Sequence, residues 1–348
     1  MKKSTKTILI VVLCVLVIAG IIGGYVGYNL TYHPSKWLVD GDDAVEEIAF
    51  EQELGMLDMI SNTWQQAVPQ TAIYDLIEAH FNAPLPEGKT EKKAIVIGYD
   101  GCRVDNFRLL ATSKRSAINT LLDMGGQAIY SYAGGVPYPH ANTQATSTAP
   151  GWCSMLTGVL ADVHGITNNG QPKAINPKTL LLSLVEDGTV DDSAFYVSWD
   201  GHFSKKDATY INEKYYAKDE GLDVTFRRAL FDPGTKYNII SDLKKTDCTD
   251  FIFSTLEYTD HAGHSTGFTP TNVKYVSAFR NAEATGSDII ETITNRETYE
   301  TEDWLILITT DHGGIGVGHG GPSFEERMTF IVSNKDILSV LGAESGTR

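Results

Sequence analysis

The stretch KKAIVIGYDG, residues 92–101, is a short apolar run rich in β-branched residues that stops at an acid and a glycine. A strand with one wet face would alternate polar and apolar positions. An unbroken apolar run is what a strand covered on both faces requires, as in the middle of a parallel sheet. Two further stretches have the same form: DFIFSTLEYTD (250–260) and DWLILITTDHGG (303–314). Each runs apolar and then presents an aspartate, so Asp100, Asp260 and Asp311 are expected at three strand ends. QAIYSYAGG (127–135), AFYVSWDG (194–201) and MTFIVSN (328–334) read as additional strands. Helical patterns lie between them. They are SAINTLLDMG (116–125), APGWCSMLTGVL (149–160) with a proline in its first turn, TLLLSLVEDG (179–188) stopped by Gly188, and the long VKYVSAFRNAEATGSDIIETITNR (273–296). Strands alternating with helices predict an α/β fold, a doubly wound and mostly parallel sheet with helices on both faces. No internal repeat or low-complexity segment interrupts it.

The chain has 348 residues, 42% of them hydrophobic, which allows a sizeable core. Its 28 basic and 44 acidic residues give a net charge of −16, so nucleic-acid binding is not expected. Three lysines precede an apolar run, Ile8 to Val26, and no ionised side chain lies between Lys6 and Lys36. That run is long enough to cross a bilayer, which takes ~20 apolar residues, and lysines before it keep the N-terminus cytoplasmic. An uncleaved single-pass anchor is favoured over a cleaved signal peptide, because no small-x-small site followed by a polar chain is present. Residues 1–36 are therefore read as cytoplasmic tip and transmembrane helix, 37–91 as a helical stem or lead-in, and 92–348 as an extracytoplasmic catalytic domain. Within 37–91, residues 42–68 and QTAIYDLIEAHF (70–81) both read as helix. Cys14 falls in the anchor; Cys102, Cys153 and Cys248 are an odd number with no C-x-x-C pair, and read as buried free thiols.

Ligands of open α/β sheets bind outside the carboxyl ends of the strands, so acids at three strand ends can converge on one rim. A lone aspartate there is most often a turn residue or a helix cap; three, two of them beside histidines, point to a site. Asp260 and His264 are one helical turn apart and can share a face, whereas His261 points elsewhere and reads as exposed or structural. Asp311 and His312 are adjacent, and His319 follows a glycine-rich turn. Three carboxylates with three imidazoles suit zinc, with manganese as the alternative, and two divalent cations would remove the repulsion of buried acids. Thr148, in TSTAPG (146–151), stands at a helix start, where N–H groups and the helix dipole favour an anion. It reads either as a helix cap or as a nucleophile activated by a metal ion.

Four segments together resemble the alkaline phosphatase superfamily, and in particular its type I phosphodiesterase/nucleotide pyrophosphatase branch. They are IVIGYDGCR (95–103), TSTAPGWCSMLTGVLADVHGITNN (146–169), STLEYTDHAGHSTG (254–267) and LITTDHGG (307–314). The resemblance implies an alkaline-phosphatase-like fold over roughly residues 92–333. It makes Asp100, Asp311 and His312 ligands of one metal that also binds the nucleophile Thr148, and Asp260, His264 and His319 ligands of a second. It places Asn169, with Asn168 as the fallback, where the branch hydrogen-bonds a phosphoryl oxygen, and it gives the Ala149 N–H a share of that charge. The implied reaction is hydrolysis of a small phosphodiester or nucleotide pyrophosphate through a phosphothreonine. The sequence lacks the arginine that follows the nucleophile in sulfatases of the superfamily. Trp199 or Phe203, in YVSWDGHF (196–203), would stack on a base or pack in the core. Two departures stand out. Only six residues separate His312 from His319, where the best-known branches place the last histidine far downstream. The family also usually continues beyond the equivalent of residue 348, which implies a trimmed fold or a fragment. A phosphoglycerol or phosphoethanolamine transferase of the same superfamily, and a non-catalytic metal-binding surface protein, are the alternative functions.

Overall fold

A computed structural model describes residues 59–170 and 174–344. They form one eight-stranded sheet whose strands are β1 (Val68–Pro69), β2 (Glu91–Tyr99), β3 (Gln127–Tyr132), β4 (Ser193–Val197), β5 (Val224–Arg228), β6 (Phe251–Leu256), β7 (Glu302–Thr309) and β8 (Met328–Ser333). The spatial order is β1-β3-β8-β7-β2-β6-β4-β5. All neighbours are parallel except β8, which runs antiparallel to both β3 and β7. β2 is central, flanked by β7 on one side and β6 on the other.

Alternate residues of β2 enter two different cores. Ile95, Ile97 and Tyr99 join one, beneath the helices α2 (Ala117–Asp123), α7 (Asp232–Leu243) and α9 (Val273–Thr294). Ala94 and Val96 join the other, beneath α1 (Ala72–Asn82), α3 (Thr148–Thr157) and α5 (Leu180–Glu186). This two-sided cover is why the run at 94–97 is unbroken. The remaining helices are α4 (Ala161–His164), α6 (Ile211–Glu220), α8 (Tyr258–Thr266), α10 (Phe324–Arg327) and α11 (Leu338–Glu344). The expected mostly parallel α/β sheet with helices on both faces is therefore what the chain forms.

Two expectations, a helix and a membrane span, need correction or restriction. The helix expected over 42–68 does not exist in its described part, which holds a 3₁₀ turn at Trp64–Gln66 and the start of β1. The helix expected over 70–81 is α1, whose Ile73, Leu76 and Ile77 fill one core, and β1 just before it pairs with β3. The predicted span at 8–26 lies outside the described residues, among which no helix is long and apolar enough to cross a membrane. Cys102, Cys153 and Cys248 are buried free thiols, as expected.

Candidate metal centre

Strands β7, β2 and β6 are neighbours, so their carboxyl ends deliver the candidate residues to one place. Asp100 is the first residue beyond β2, and Asp311 lies two beyond the end of β7. Asp260 is not at a strand end. β6 stops at Leu256 and Asp260 sits in the first turn of α8, with His264 on the next turn of the same face. The acid that follows β6 directly is Glu257, which sequence reasoning passed over.

The side chains converge. His312 Nε2 lies 3.3 Å from Asp311 Oδ2 and 3.7 Å from Asp100 Oδ1. Asp260 Oδ1 lies 3.4 Å from His264 Nε2 and 3.6 Å from His319 Nε2, and those two nitrogens are 3.1 Å apart. The rings of His312 and His319 stack at 3.8 Å, which joins the two groups. Thus His319 belongs to the cluster despite its short spacing from His312. Thr148 is the first residue of α3, and Ser147 holds the cap position. Its hydroxyl is not committed to capping and lies 3.5 Å from His312 Nε2.

Backbone carbonyls set the imidazoles. His264 Nδ1 donates to Val317 O, His312 Nδ1 to Gly313 O and His319 Nδ1 to Thr146 O, at 2.9, 2.7 and 3.0 Å. With the proton on Nδ1, each Nε2 turns a lone pair inward, the arrangement that carbonyl partners impose on metal-binding histidines. Two such lone pairs 3.1 Å apart cannot bond each other. Asp100 Oδ1, Asp260 Oδ1, Asp311 Oδ2 and Glu257 Oε1 are buried without a hydrogen-bond partner. Burial, then the Asp260 charge, holds the Asp100 carboxyl well above the usual range; burial, then Asp100, does the same to Asp311. Burial raises Asp260 to about 7, and lowers His312 well below and His319 below the ordinary imidazole value. Orphaned buried oxygens facing orphaned lone pairs are costly unless a cation lies between them. Ligands at roughly 2.0–2.1 Å around a tetrahedral zinc stand about 3.3 Å apart, close to the spacings here. The residues present therefore fit divalent cations. Glu257 adds an oxygen donor within reach of Asp100 and Asp260.

Neighbours fix the acids in place. The Trp152 indole of α3 donates to Asp100 Oδ2 at 3.0 Å, and the Thr259 hydroxyl donates to the Asp100 carbonyl at 2.5 Å. Gly151 lets α3 approach, since a Cβ there would come within 2.9 Å of the Asp311 Cβ. At Gly98 a Cβ would meet Trp152 Cη2 at 2.4 Å and the Ser254 carbonyl oxygen at 2.9 Å. Gly98→Ala is expected to push the indole off Asp100 and to cost about 1–3 kcal/mol through overpacking. Chemical denaturation reads this directly, and an unchanged midpoint would contradict the packing.

Asn169 is exposed, and its Oδ1 accepts the Ala149 N–H at 2.8 Å. The N–H expected to hold phosphoryl charge is thus engaged by Asn169, and the amide Nδ2 remains as the donor. Asn168 is also exposed. Phe203 is fully buried against Phe195 and Phe226, so it packs in the core rather than stacking on a ligand. Trp199 is half-buried, edge-on to His202. His261 is exposed, as expected.

The sequence model described as type I phosphodiesterase/nucleotide pyrophosphatase matches residues 94–325. No curated protein sequence matches the chain. Among solved structures, murine ectonucleotide pyrophosphatase/phosphodiesterase 5 is similar over 64% of this chain and 57% of its own, at 17% identity and a TM-score of 0.44. The chain thus spans little more than half the length of that protein. The C-terminal periplasmic domain of a phosphoethanolamine transferase from Campylobacter jejuni is similar over 74% of this chain and 84% of its own, at 14% identity and a TM-score of 0.48. The alkaline phosphatase of the Antarctic bacterium TAB5 is similar over 73% of this chain and 98% of its own, at 12% identity and a TM-score of 0.45.

Proposed function

Because the chain belongs to the type I phosphodiesterase/nucleotide pyrophosphatase family, we propose that it is a metal-dependent hydrolase of phosphodiesters or nucleotide-type pyrophosphates, acting through a phosphothreonine. The observation that carries this reading is a Thr148 hydroxyl that caps nothing and faces His312 Nε2, beside buried, unpartnered carboxylate oxygens and inward-facing imidazoles. Asp100, Asp311 and His312 would hold one cation together with Thr148, and Asp260, His264 and His319 the other. Bound zinc or manganese would neutralise phosphoryl and leaving-group charge and favour the threonine alkoxide.

Thr148 Oγ1 gives up its proton to solvent, attacks phosphorus in line and displaces one ester or pyrophosphate oxygen with its bonding pair. The departing oxygen takes up a proton from solvent. Asn169 Nδ2 donates to a phosphoryl oxygen, and the N-terminus of α3 adds its dipole. Water then attacks the phosphothreonine, releases the phosphoryl product and restores the hydroxyl. In the same reading, the lysine-flanked run Ile8–Val26 tethers the enzyme to a membrane with this domain on the extracytoplasmic side.

The test is a panel assayed with the zinc-loaded protein: bis-p-nitrophenyl phosphate, a nucleoside p-nitrophenyl diester, p-nitrophenyl phosphate and a sulfate ester. The diesters are expected to lead in kcat/KM by about tenfold or more, a difference of ~1.4 kcal/mol in transition-state binding. A comparable lead for the monoester or the sulfate would overturn the assignment.

A further inference from the structure

The chain that leaves α3 doubles back to the start of the same helix, tied to it at two points and to the segment just before it at a third. Gln144 Oε1 accepts the Ala161 N–H at 2.9 Å, His164 Nε2 meets Ser154 Oγ at 3.1 Å, and Asn169 Oδ1 holds the Ala149 N–H at 2.8 Å. His164, Ser154 and Gln144 are buried, and the proposed reaction uses none of them. The His164 tautomer is fixed from both sides. Its Nδ1 accepts the Ile166 N–H at 3.1 Å, so its Nε2 carries the proton and donates to Ser154. Ser154 also accepts from Gln144 Nε2 at 3.0 Å and donates to the Pro150 carbonyl at 2.9 Å. Pro150 lies in the first turn of α3, two residues from Thr148. Burial pushes the His164 imidazole down to about 4, so it stays neutral in ordinary buffers.

We infer that His164 is a positioning residue which, through Ser154, registers the Asn169 loop against the helix turn that carries Thr148. The inference deepens the proposed function and rests on it for its catalytic consequence. The geometric part stands without it. Asn169 is exposed and its Oδ1 holds the Ala149 N–H, while His164 five residues upstream is buried against Ser154 and Ile166 between them packs in the core with Trp152 and Leu156, so the segment from His164 to Asn169 is fastened to α3 at both ends.

The test combines amide hydrogen exchange at Ala149 with kinetics of the zinc-loaded enzyme. In His164→Ala, exchange at Ala149 is expected to quicken by ~10-fold or more, and diester kcat/KM to fall by ~10–100-fold, the usual cost of losing a partner that orients a reacting group. In His164→Gln, whose Nε2 can reach Ser154, both are expected to recover. Ser154→Ala removes the acceptor, keeps the imidazole, and is expected to reproduce the exchange effect even where His164→Ala does not fold. On an Asn169→Ala background, His164→Ala is expected to have no further effect beyond ~2-fold, because coupled residues are not additive. Unchanged Ala149 exchange in both single variants, or a full His164→Ala cost on the Asn169→Ala background, would overturn the inference. The exchange arm needs no turnover, so an enzyme inactive on every diester would end the functional proposal while leaving this one to be decided on its own data.

Discussion

Thr148→Ala is expected to lower diester hydrolysis by roughly three orders of magnitude or more, the scale of losing a covalent nucleophile, while metal content and stability stay near wild type. Both halves follow from the geometry. The hydroxyl stands 3.5 Å from His312 Nε2 at the head of α3, where a phosphoryl group would meet Thr148 Oγ1. It caps nothing, because Ser147 occupies the cap position, and no cap bond is lost with it. Six other side chains remain to bind the cations, so elemental analysis should still find about two equivalents. Thr148→Ser keeps the oxygen and should retain activity within about tenfold. An acid-quenched turnover should trap phosphate on Thr148 in the wild type and nowhere in Thr148→Ala. Persistent diester turnover in Thr148→Ala would remove the phosphothreonine from the mechanism and leave water as the direct nucleophile.

What the sequence made legible follows from how each element is buried. β2 and β7 were readable because both of their faces are covered, which forces a continuous apolar run, and the acids beyond them mark the rim. The i, i+4 pair Asp260 and His264 was readable from spacing alone, although the strand was carried too far and the helix start at Tyr258 missed. β5 was not readable. It is an edge strand, Val224–Arg228, whose arginines and threonine face solvent, so it carries no apolar signature. α6 escaped for a different reason. One of its few buried side chains is Glu213, which accepts the Thr179 N–H and hydroxyl at the start of α5, so the inward face holds a charge type where periodicity looks for an apolar residue. Residues 59–68 are not helical because weak helix formers, Ser61 to Trp64, lie between two points held beside β3, Ile60 against Ala128 and Val68 against Ser131. Trp152, which steadies Asp100, acts through a contact across the fold, and neither it nor the donor Glu257 has a local pattern of its own. The six proposed ligands announced themselves by residue type, whereas the groups that aim them did not.

Chelation is the second large effect. Removing the cations is expected to reduce diester turnover by ~10³-fold or more, with recovery on adding zinc or manganese. It should also lower Tm by roughly 10 °C, because each site filled at a thousandfold excess over its Kd contributes ~4 kcal/mol. The pH dependence has a definite sign. In the metal-free protein, burial holds Asp100 and Asp311 well above the ordinary carboxylate value and Asp260 at about 7. Protons therefore compete with cations for these oxygens. Metal affinity is fully expressed above the raised values and falls as pH drops through them, so the gap in Tm between loaded and stripped protein should narrow from pH 8 to pH 6. The imidazoles act lower down, since burial pushes His312 and His319 below the usual histidine value, and they would dominate the loss only in more acidic buffer. His319→Ala should remove about one equivalent of metal and leave the Asp100, Asp311 and His312 group loaded. A stripped protein as stable as the loaded one at pH 8, or a gap that widened on acidification, would mean that these buried oxygens are balanced by protons rather than by cations.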